Sequence, residues 1–267
     1  MDLGLKGRIA VLVGASKGIG KGIARSLAAE GVQLFLLSRN REELAATCIE
    51  ISEEFGVDAT PITADVSSAE SVRDAALAVK AVAGTIHILV TSVGTAIRRQ
   101  DRTITWGDSD WRADIDVKLT GIMRVIREFE GLISADGTGR IINITGASGL
   151  MTWMPALNYG MNNAAVIHAT GYLAADLADR GITVNTVVPG IIGTEWREVW
   201  AGGMASGLLQ EKDAWLGDFC GGKGILARRW GKVEEIGDAV TFLASDRAAY
   251  INGAKLVVDG GLTANVR

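Results

Sequence analysis

Seven short apolar runs punctuate the chain at residues 9–13, 33–37, 59–63, 86–91, 140–145, 183–188 and 255–258, with helical patterns filling the gaps. A run of four to six residues that is apolar throughout suits a strand buried on both faces. Stretches of this length between such runs provide the crossover that a parallel pair requires. The chain therefore predicts an α/β fold, a doubly wound parallel sheet with helices on both faces. With 267 residues and 48% hydrophobic content the chain fills one large core, and no linker or shift in composition divides it. A single domain spanning 1–267 follows.

Charge and composition narrow the class of function. The net charge is −4 and no block of Lys and Arg is present, which argues against nucleic-acid binding. No apolar run reaches the roughly 18 residues that cross a bilayer. The opening MDLGLKGRIAVLVGASKG lacks a basic segment followed by a long apolar run and a cleavage site, so it does not read as a secretory signal. Cys48 and Cys220 are too few for a disulfide framework, and His87 and His168, the only histidines, leave no metal-ligand cluster to read. The expectation is a soluble, cytoplasmic protein that takes a small molecule without a metal.

The first chemical motif is Val13-Gly14-Ala15-Ser16-Lys17-Gly18-Ile19-Gly20, between an apolar run and a helix predicted over 21–31. Glycines there let backbone approach a pyrophosphate, and the helix start offers unpaired N–H groups and the positive end of a dipole. A second motif is the stretch 139–165, GRIINITGASGLMTWMPALNYGMNNAA. It runs from a buried strand through small residues into a helix predicted over 155–180, on which Ala164, Ile167, His168, Gly171, Leu173, Ala174 and Leu177 recur at helical spacing. Tyr159 then projects from an early helical turn near the carboxyl end of the preceding strand, where open parallel sheets bind ligands.

These motifs resemble the short-chain dehydrogenase/reductase family, in its 3-oxoacyl-reductase-like form, and the likeness extends over nearly the whole chain, including Asp65-Val66, Pro189-Gly190 and Val258-Asp259-Gly260-Gly261. The family pattern has Ser after the strand, Tyr thirteen residues later, Lys four residues after the Tyr, and Asn in the preceding helix. This chain keeps only Tyr159. Gly146 stands for the Ser, Asn163 for the Lys, and Lys118, in DVKLTG, for the Asn. The tetrad is atypical.

The resemblance implies a Rossmann fold and a nicotinamide dinucleotide held by Gly14, Ser16, Lys17, Gly18, Ile19 and Gly20. Asp65 and Val66 are then expected at the adenine edge, and Gly94 is the retained member of Thr91-Ser92-Val93-Gly94. Pro189, Gly190, Ile192 and Thr194 are expected along the nicotinamide, with Ile192 backbone and the Thr194 hydroxyl at its carboxamide. Where an acidic residue would select NAD, the chain has Ser38 followed by Arg39, with Lys17 a second cation on the same side, so NADP is favoured.

Tyr159 is the expected acid and base, and Asn163 the expected ribose ligand. A phenol titrates near 10 and needs a nearby cation to work close to neutral pH. Lys118 supplies that charge if its side chain enters the pocket, and supplies none if it points to solvent. Gly146 has no side chain with which to polarise a carbonyl, and Thr145 and Ser148 are the neighbouring hydroxyls. Such a loss typically lowers rate by about 10²- to 10³-fold. Asn143 is a further polar neighbour.

Residues 192–229, rich in Gly and Trp, predict a substrate lid. Trp153, Trp196, Trp200 and Trp215 either wall a pocket for an apolar or ring-containing substrate or pack the lid and a subunit contact. Arg98 and Arg99 either meet a carboxylate or lie solvated at the surface. The family commonly assembles through the Tyr-bearing helix, the helix before it and the last strand, which implies a homo-oligomer, tetramer or dimer. The expected activity is NADP(H)-dependent interconversion of a carbonyl and an alcohol. The alternatives are a non-redox enzyme of elimination, isomerisation or retro-aldol type on the same fold, and an inactive NADP-binding protein.

Overall fold

A computed structural model describes residues 2–94, 105–152 and 157–264; Arg98, Arg99 and Trp153 lie outside them. The apolar runs become β1 (Ile9–Val13), β2 (Gln33–Ser38), β3 (Ala59–Thr63), β4 (Ile88–Thr91), β5 (Arg140–Ile144), β6 (Thr183–Pro189) and β7 (Lys255–Val258). They pair in parallel in the order β3-β2-β1-β4-β5-β6-β7. Every residue of β5 and β6 is buried, as strands covered on both faces must be. Pro61, which has no N–H for a ladder, is confined to the edge strand β3. The order reverses between β1 and β4, so the segments leaving these strands diverge and open a crevice at their carboxyl ends.

One face of the sheet is covered by α1 (Gly18–Ala29), α2 (Arg41–Phe55) and α9 (Val233–Ala244), whose Leu27, Leu44 and Val240 share a core with Leu12 and Leu36. The other is covered by α3 (Ala69–Ala83), α5 (Gly121–Phe129) and α6 (Leu157–Asp176), with Val79, Phe129 and Val166 against Val11, Leu89 and Ile141. Start signals in the sequence set the helix boundaries. The Asn40 side chain accepts from the N–H groups of Glu42 and Glu43, and Ser68 accepts from Ser71 N.

Between α4 (Asp108–Ile115) and α5 the helix passes through a π turn, Asp116–Thr120. The wider turn leaves Asp116 with a carbonyl and a carboxylate that Arg124 gathers, Nη1 to Asp116 O at 3.2 Å and Nη2 to Asp116 Oδ1 at 2.7 Å. Such turns commonly sit at functional sites because they rotate one side chain out of helical register. Here that side chain is Lys118, and it is 2% exposed. Of the two orientations left open by the sequence, the structure takes the inward one.

The apolar stripe read on the Tyr-bearing helix faces the sheet only toward its end, where Ala174 and Leu177 are buried and Leu173 packs against the same core. Ala164, His168 and Gly171 are exposed and Ile167 is half-buried, while Asn158, Asn162, Asn163, Val166, Thr170 and Ala174 point inward. The inward side meets polar strand ends, so its burial is achieved with hydrogen bonds that a hydrophobic pattern does not register. Thr91 Oγ1 donates to Asn143 Oδ1 (2.7 Å), Asn143 Nδ2 donates to Thr170 Oγ1 (3.3 Å), and Thr170 donates to Val166 O (2.9 Å) while lying 2.6 Å from Thr186 Oγ1. β4, β5, β6 and α6 are thereby tied at one buried point. In segment 192–229, read as aperiodic, the chain forms α7 (Glu195–Gly207) and α8 (Lys212–Gly222) over a small core of their own.

Asn143→Ala strands the Thr91 hydroxyl and removes one donor to Thr170. A loss of about 1–3 kcal/mol follows, read as a lower urea midpoint with unchanged slope.

Candidate active site

The glycine-rich turn after β1 is shaped by close approach of backbone to backbone. Gly14 has φ +85°, and a Cβ there would lie 2.5 Å from Ser92 O; a Cβ on Gly20 would lie 2.0 Å from Gly14 O. No side chain fits at either position. α1 opens at Gly18 with an extended Lys17 at its cap, no side-chain cap and no acidic residue in its first turn, which leaves its leading N–H groups free for an anion. The Thr194 methyl stands 3.3 Å from a Cβ placed on Gly18, so the segment after β6 roofs this turn. Pro189 ends β6, Gly190 crosses against the Asp259 backbone, and Ile192 is buried beside an isolated bridge to Gly231.

At the rim, Ser38 ends β2 and its hydroxyl reaches Asn40 O (3.3 Å). Lys17 is 74% exposed, with Nζ 3.4 Å from Glu43, which also lies 3.5 Å from Ser16 Oγ. Arg39 is exposed and makes no ion pair among the described residues. Burial opposes the charge on Asp65, but hydrogen bonds from Ser67 N–H and Oγ–H and the positive charge of Arg39 carry its carboxyl below the usual range. Val66 packs under Gly121, whereas Gly94 is exposed and uncrowded by any of the described residues. These groups follow the carboxyl ends of β1, β2, β3, β4 and β6. The cavity of about 420 Å³ bordered by Leu3, Phe55, Asp238 and Thr241 contains none of them.

The catalytic candidates gather where β5 ends. The Tyr159 hydroxyl lies 3.1 Å, and Asn163 Nδ2 3.2 Å, from a Cβ placed on Gly146. Asn163 is fully buried, donates from Nδ2 to Ser148 Oγ (3.3 Å), and leaves Oδ1 with no partner. Tyr159, Asn163, Gly146 and Ser148 thus form one cluster. Of the two hydroxyls adjacent to Gly146, Thr145 is committed elsewhere, donating to Val187 O (3.2 Å). Ser148 remains.

Lys118 Nζ donates to Val93 O and to Ile144 O, both at 2.7 Å. Ile144 is two residues before Gly146, so the ammonium sits beneath the turn that carries the cluster. Burial pulls its pKa from the ordinary 10.5 down to about 7. An ammonium has three hydrogens, and the two carbonyls take two of them.

Two groups escaped the sequence reading. Asp114 is fully buried and accepts from Asn158 Nδ2, next to Tyr159, which pins the first turn of α6 against α4. Its neighbours Asp108, Asp110 and Asp116 look the same in sequence, and only burial sets it apart. The other is the pair of carbonyls that hold Lys118, which have no side-chain signature.

The family model described as Enoyl-(Acyl carrier protein) reductase matches residues 14–263. The 3-oxoacyl-(acyl-carrier-protein) reductase FabG of Escherichia coli is 32% identical over 97% of this chain and 99% of its own. Among solved structures, L-sorbose reductase from Gluconobacter frateurii, complexed with NADPH and L-sorbose, superposes with a TM-score of 0.90 at 27% identity over 100% of both chains. A gluconate 5-dehydrogenase from Burkholderia cenocepacia, in complex with NADP and tartrate, gives 0.83 at 33% identity over 98% of this chain and 97% of its own. The chain belongs to the short-chain dehydrogenase/reductase family. It is an oxidoreductase of that family on a single Rossmann-type sheet.

The buried Lys118 makes stability depend on pH. Its folded pKa lies below the unfolded one, so between about pH 7 and 10.5 the unfolded chain holds more protons and stability rises with pH. Lys118→Met, which cannot titrate, has a flatter profile across that window. Urea unfolding of both proteins at several pH values measures the difference, and equal slopes would contradict the lowered pKa.

Proposed function

We propose that the chain is an NADP(H)-dependent reductase or dehydrogenase that interconverts a carbonyl and an alcohol, with Tyr159 as acid and base and Lys118 in the electrostatic role of the missing lysine. The observation that carries this reading is the buried ammonium of Lys118, 2.7 Å from Ile144 O at the foot of the Gly146 turn on which the Tyr159 hydroxyl rests. A positive charge there lowers the free energy of a phenolate and offsets the absence of a lysine at Asn163. That support is strongest at and below about pH 7, where Lys118 is charged.

The glycine turn fits a pyrophosphate, and the unpartnered Asn163 Oδ1 fits a ribose hydroxyl. Ser38 in place of an acid, the unpaired Arg39 and the exposed Lys17 suit a 2′-phosphate, in keeping with the NADPH and NADP in the two solved relatives. Asp65, Val66, Gly94 and the segment Pro189–Thr194 complete the cleft. When bound, the cofactor supplies or accepts the hydride; the chain supplies the proton and the field around it.

A small apolar or ring-containing substrate fits the lid, residues 192–229. Trp200 packs edge to face with Trp215 and Phe219, Trp215 stacks on Phe219, and both tryptophans so belong to the lid core. Trp196, 68% exposed and stacked on Trp200 at 6.5 Å, is the wall residue we assign to the substrate. The exposed face of α6, with Leu157, Met161, His168 and Tyr172, is the surface we assign to a second copy in a homo-oligomer, dimer or tetramer. No helix among the described residues is long and apolar enough to cross a membrane, and we place the enzyme in the cytoplasm.

A non-redox reading is favoured by one feature, the missing side chain at Gly146. The two separate on whether NADPH is consumed in step with loss of a carbonyl substrate. Consumption identifies a reductase; substrate turnover at constant NADPH identifies a lyase or isomerase; binding without turnover identifies an inactive binder. For the reductase, Tyr159→Phe lowers kcat by about 10²- to 10⁴-fold with little change in NADPH affinity. Arg39→Ala weakens NADPH about tenfold or more and leaves NADH binding unchanged, measured by quenching of protein fluorescence.

A further inference from the structure

We propose that Asn163 is the hydrogen-bond donor to the substrate oxygen, replacing the hydroxyl that Gly146 lacks, while its own carbonyl takes a hydroxyl of the bound ribose. The proposal rests on the carbonyl-reductase reading and assigns the group that polarises the carbonyl. Its basis is the convergence of two polar atoms on one spot. Asn163 Nδ2 and the Tyr159 hydroxyl lie 3.2 Å and 3.1 Å from the position a Cβ would take on Gly146. A glycine places no side chain between these two groups, so a reacting oxygen held between them meets both.

The amide has the right complement of hydrogens. Nδ2 carries two; one goes to Ser148 Oγ at 3.3 Å and the other is left for a ligand. Asn163 Oδ1 is buried with no partner in a residue that is fully enclosed, and native structures rarely leave such an acceptor unsatisfied. A lysine at this position offers donors alone; asparagine offers a donor on one side and an acceptor on the other. Ser148 is then a positioning residue, acting on the substrate only through the amide it orients.

In the reducing direction the carbonyl carbon receives a hydride from NADPH, which becomes NADP⁺. The π electrons of the C=O bond move to oxygen, and the Tyr159 proton completes the alcohol. The Asn163 N–H bond strengthens as charge grows on that oxygen, which is the condition for a donor to accelerate the reaction. The same geometry bears on serine at position 146. Its Cβ would stand 3.1–3.3 Å from Tyr159 Oη, Tyr159 Cε1 and Asn163 Nδ2, so the family residue pushes the acid and the donor aside by a few tenths of an ångström. Gly146→Ser is expected to lower turnover, not raise it.

The test uses the full-length protein with NADP⁺ and ethyl acetoacetate labelled with carbon-13 at its keto carbon, as a complex that cannot turn over. Difference infrared spectra read the keto C=O stretch, and parallel assays measure NADPH oxidation by the same compound. In wild type the stretch moves to lower frequency. Asn163→Ala and the volume-preserving Asn163→Asp lose much of that shift, and kcat falls by about 10²- to 10³-fold. Asn163→Ala also weakens NADPH binding, read by fluorescence titration; Ser148→Ala reduces the shift while leaving NADPH affinity unchanged. A wild type without the shift, or Asn163 variants that keep it, overturns the proposal. If the shift depends on Asn163 but NADPH is not oxidised, the donor stands and the reductase reading falls. Melting curves of both Asn163 variants confirm that the comparison is between folded proteins.

Discussion

Two backbone carbonyls at the ends of neighbouring parallel strands share one buried ammonium, and the organisation of the site depends on that contact. Val93 O and Ile144 O point out of the sheet where no further strand residue can pair with them, and Lys118 Nζ takes both at 2.7 Å. A buried lysine is tolerated only when its hydrogens are used, because desolvation of the charge opposes folding. The π turn makes this geometry available by turning Lys118 inward from a helix whose neighbouring residues keep ordinary register. The segment after β4 and the turn after β5 are thereby held relative to one another, and the Tyr159 cluster is built on that second turn.

The cluster carries other side chains at the positions of the family pattern. The family pattern places hydroxyl, ammonium and amide at three positions, and here glycine, asparagine and lysine occupy them. The amide has moved from the helix before Tyr159 to the helix that carries it, and the ammonium has moved the other way. The hydroxyl is not restored at Gly146, since Tyr159 and Asn163 close around the glycine, and Ser148 lies one step further along the same turn. A serine Cβ at 146 would crowd Tyr159 and Asn163, and an asparagine at 118 would take the ammonium away from Val93 O and Ile144 O.

Segment 192–229 follows a different logic. Its core is a set of aromatic rings, Trp200, Trp215, Phe219 and Trp230, separated from the two main cores and joined to the catalytic turn through Ala147. Large rings give a small substructure enough apolar surface to hold its shape without a strand. Trp196, at the outer end of the Trp230–Trp200–Trp196 series, is presented on a firm backing.

The sequence by itself determined the sheet, the glycine turn and the place of Tyr159. Continuous apolar runs have one stable use in a chain of this length, and glycines between strand and helix mark backbone contacts that no other residue permits. Strand ends were legible to within a residue or two, as at β4, where the run from Ile86 resolves into a bridge and a strand beginning at Ile88. Tertiary structure decided the rest. Much of the inward face of α6 is polar, with Asn143, Thr170 and Thr186 satisfying one another across three elements, so its apolar stripe marks the packed side only near the helix end. The direction of Lys118 and the commitment of Thr145 depend on which backbone carbonyls come within reach, and the places of Asp114 and Ser148 on the amides of Asn158 and Asn163. Carbonyls are identical at every position of a sequence; only the fold decides which of them lack a partner.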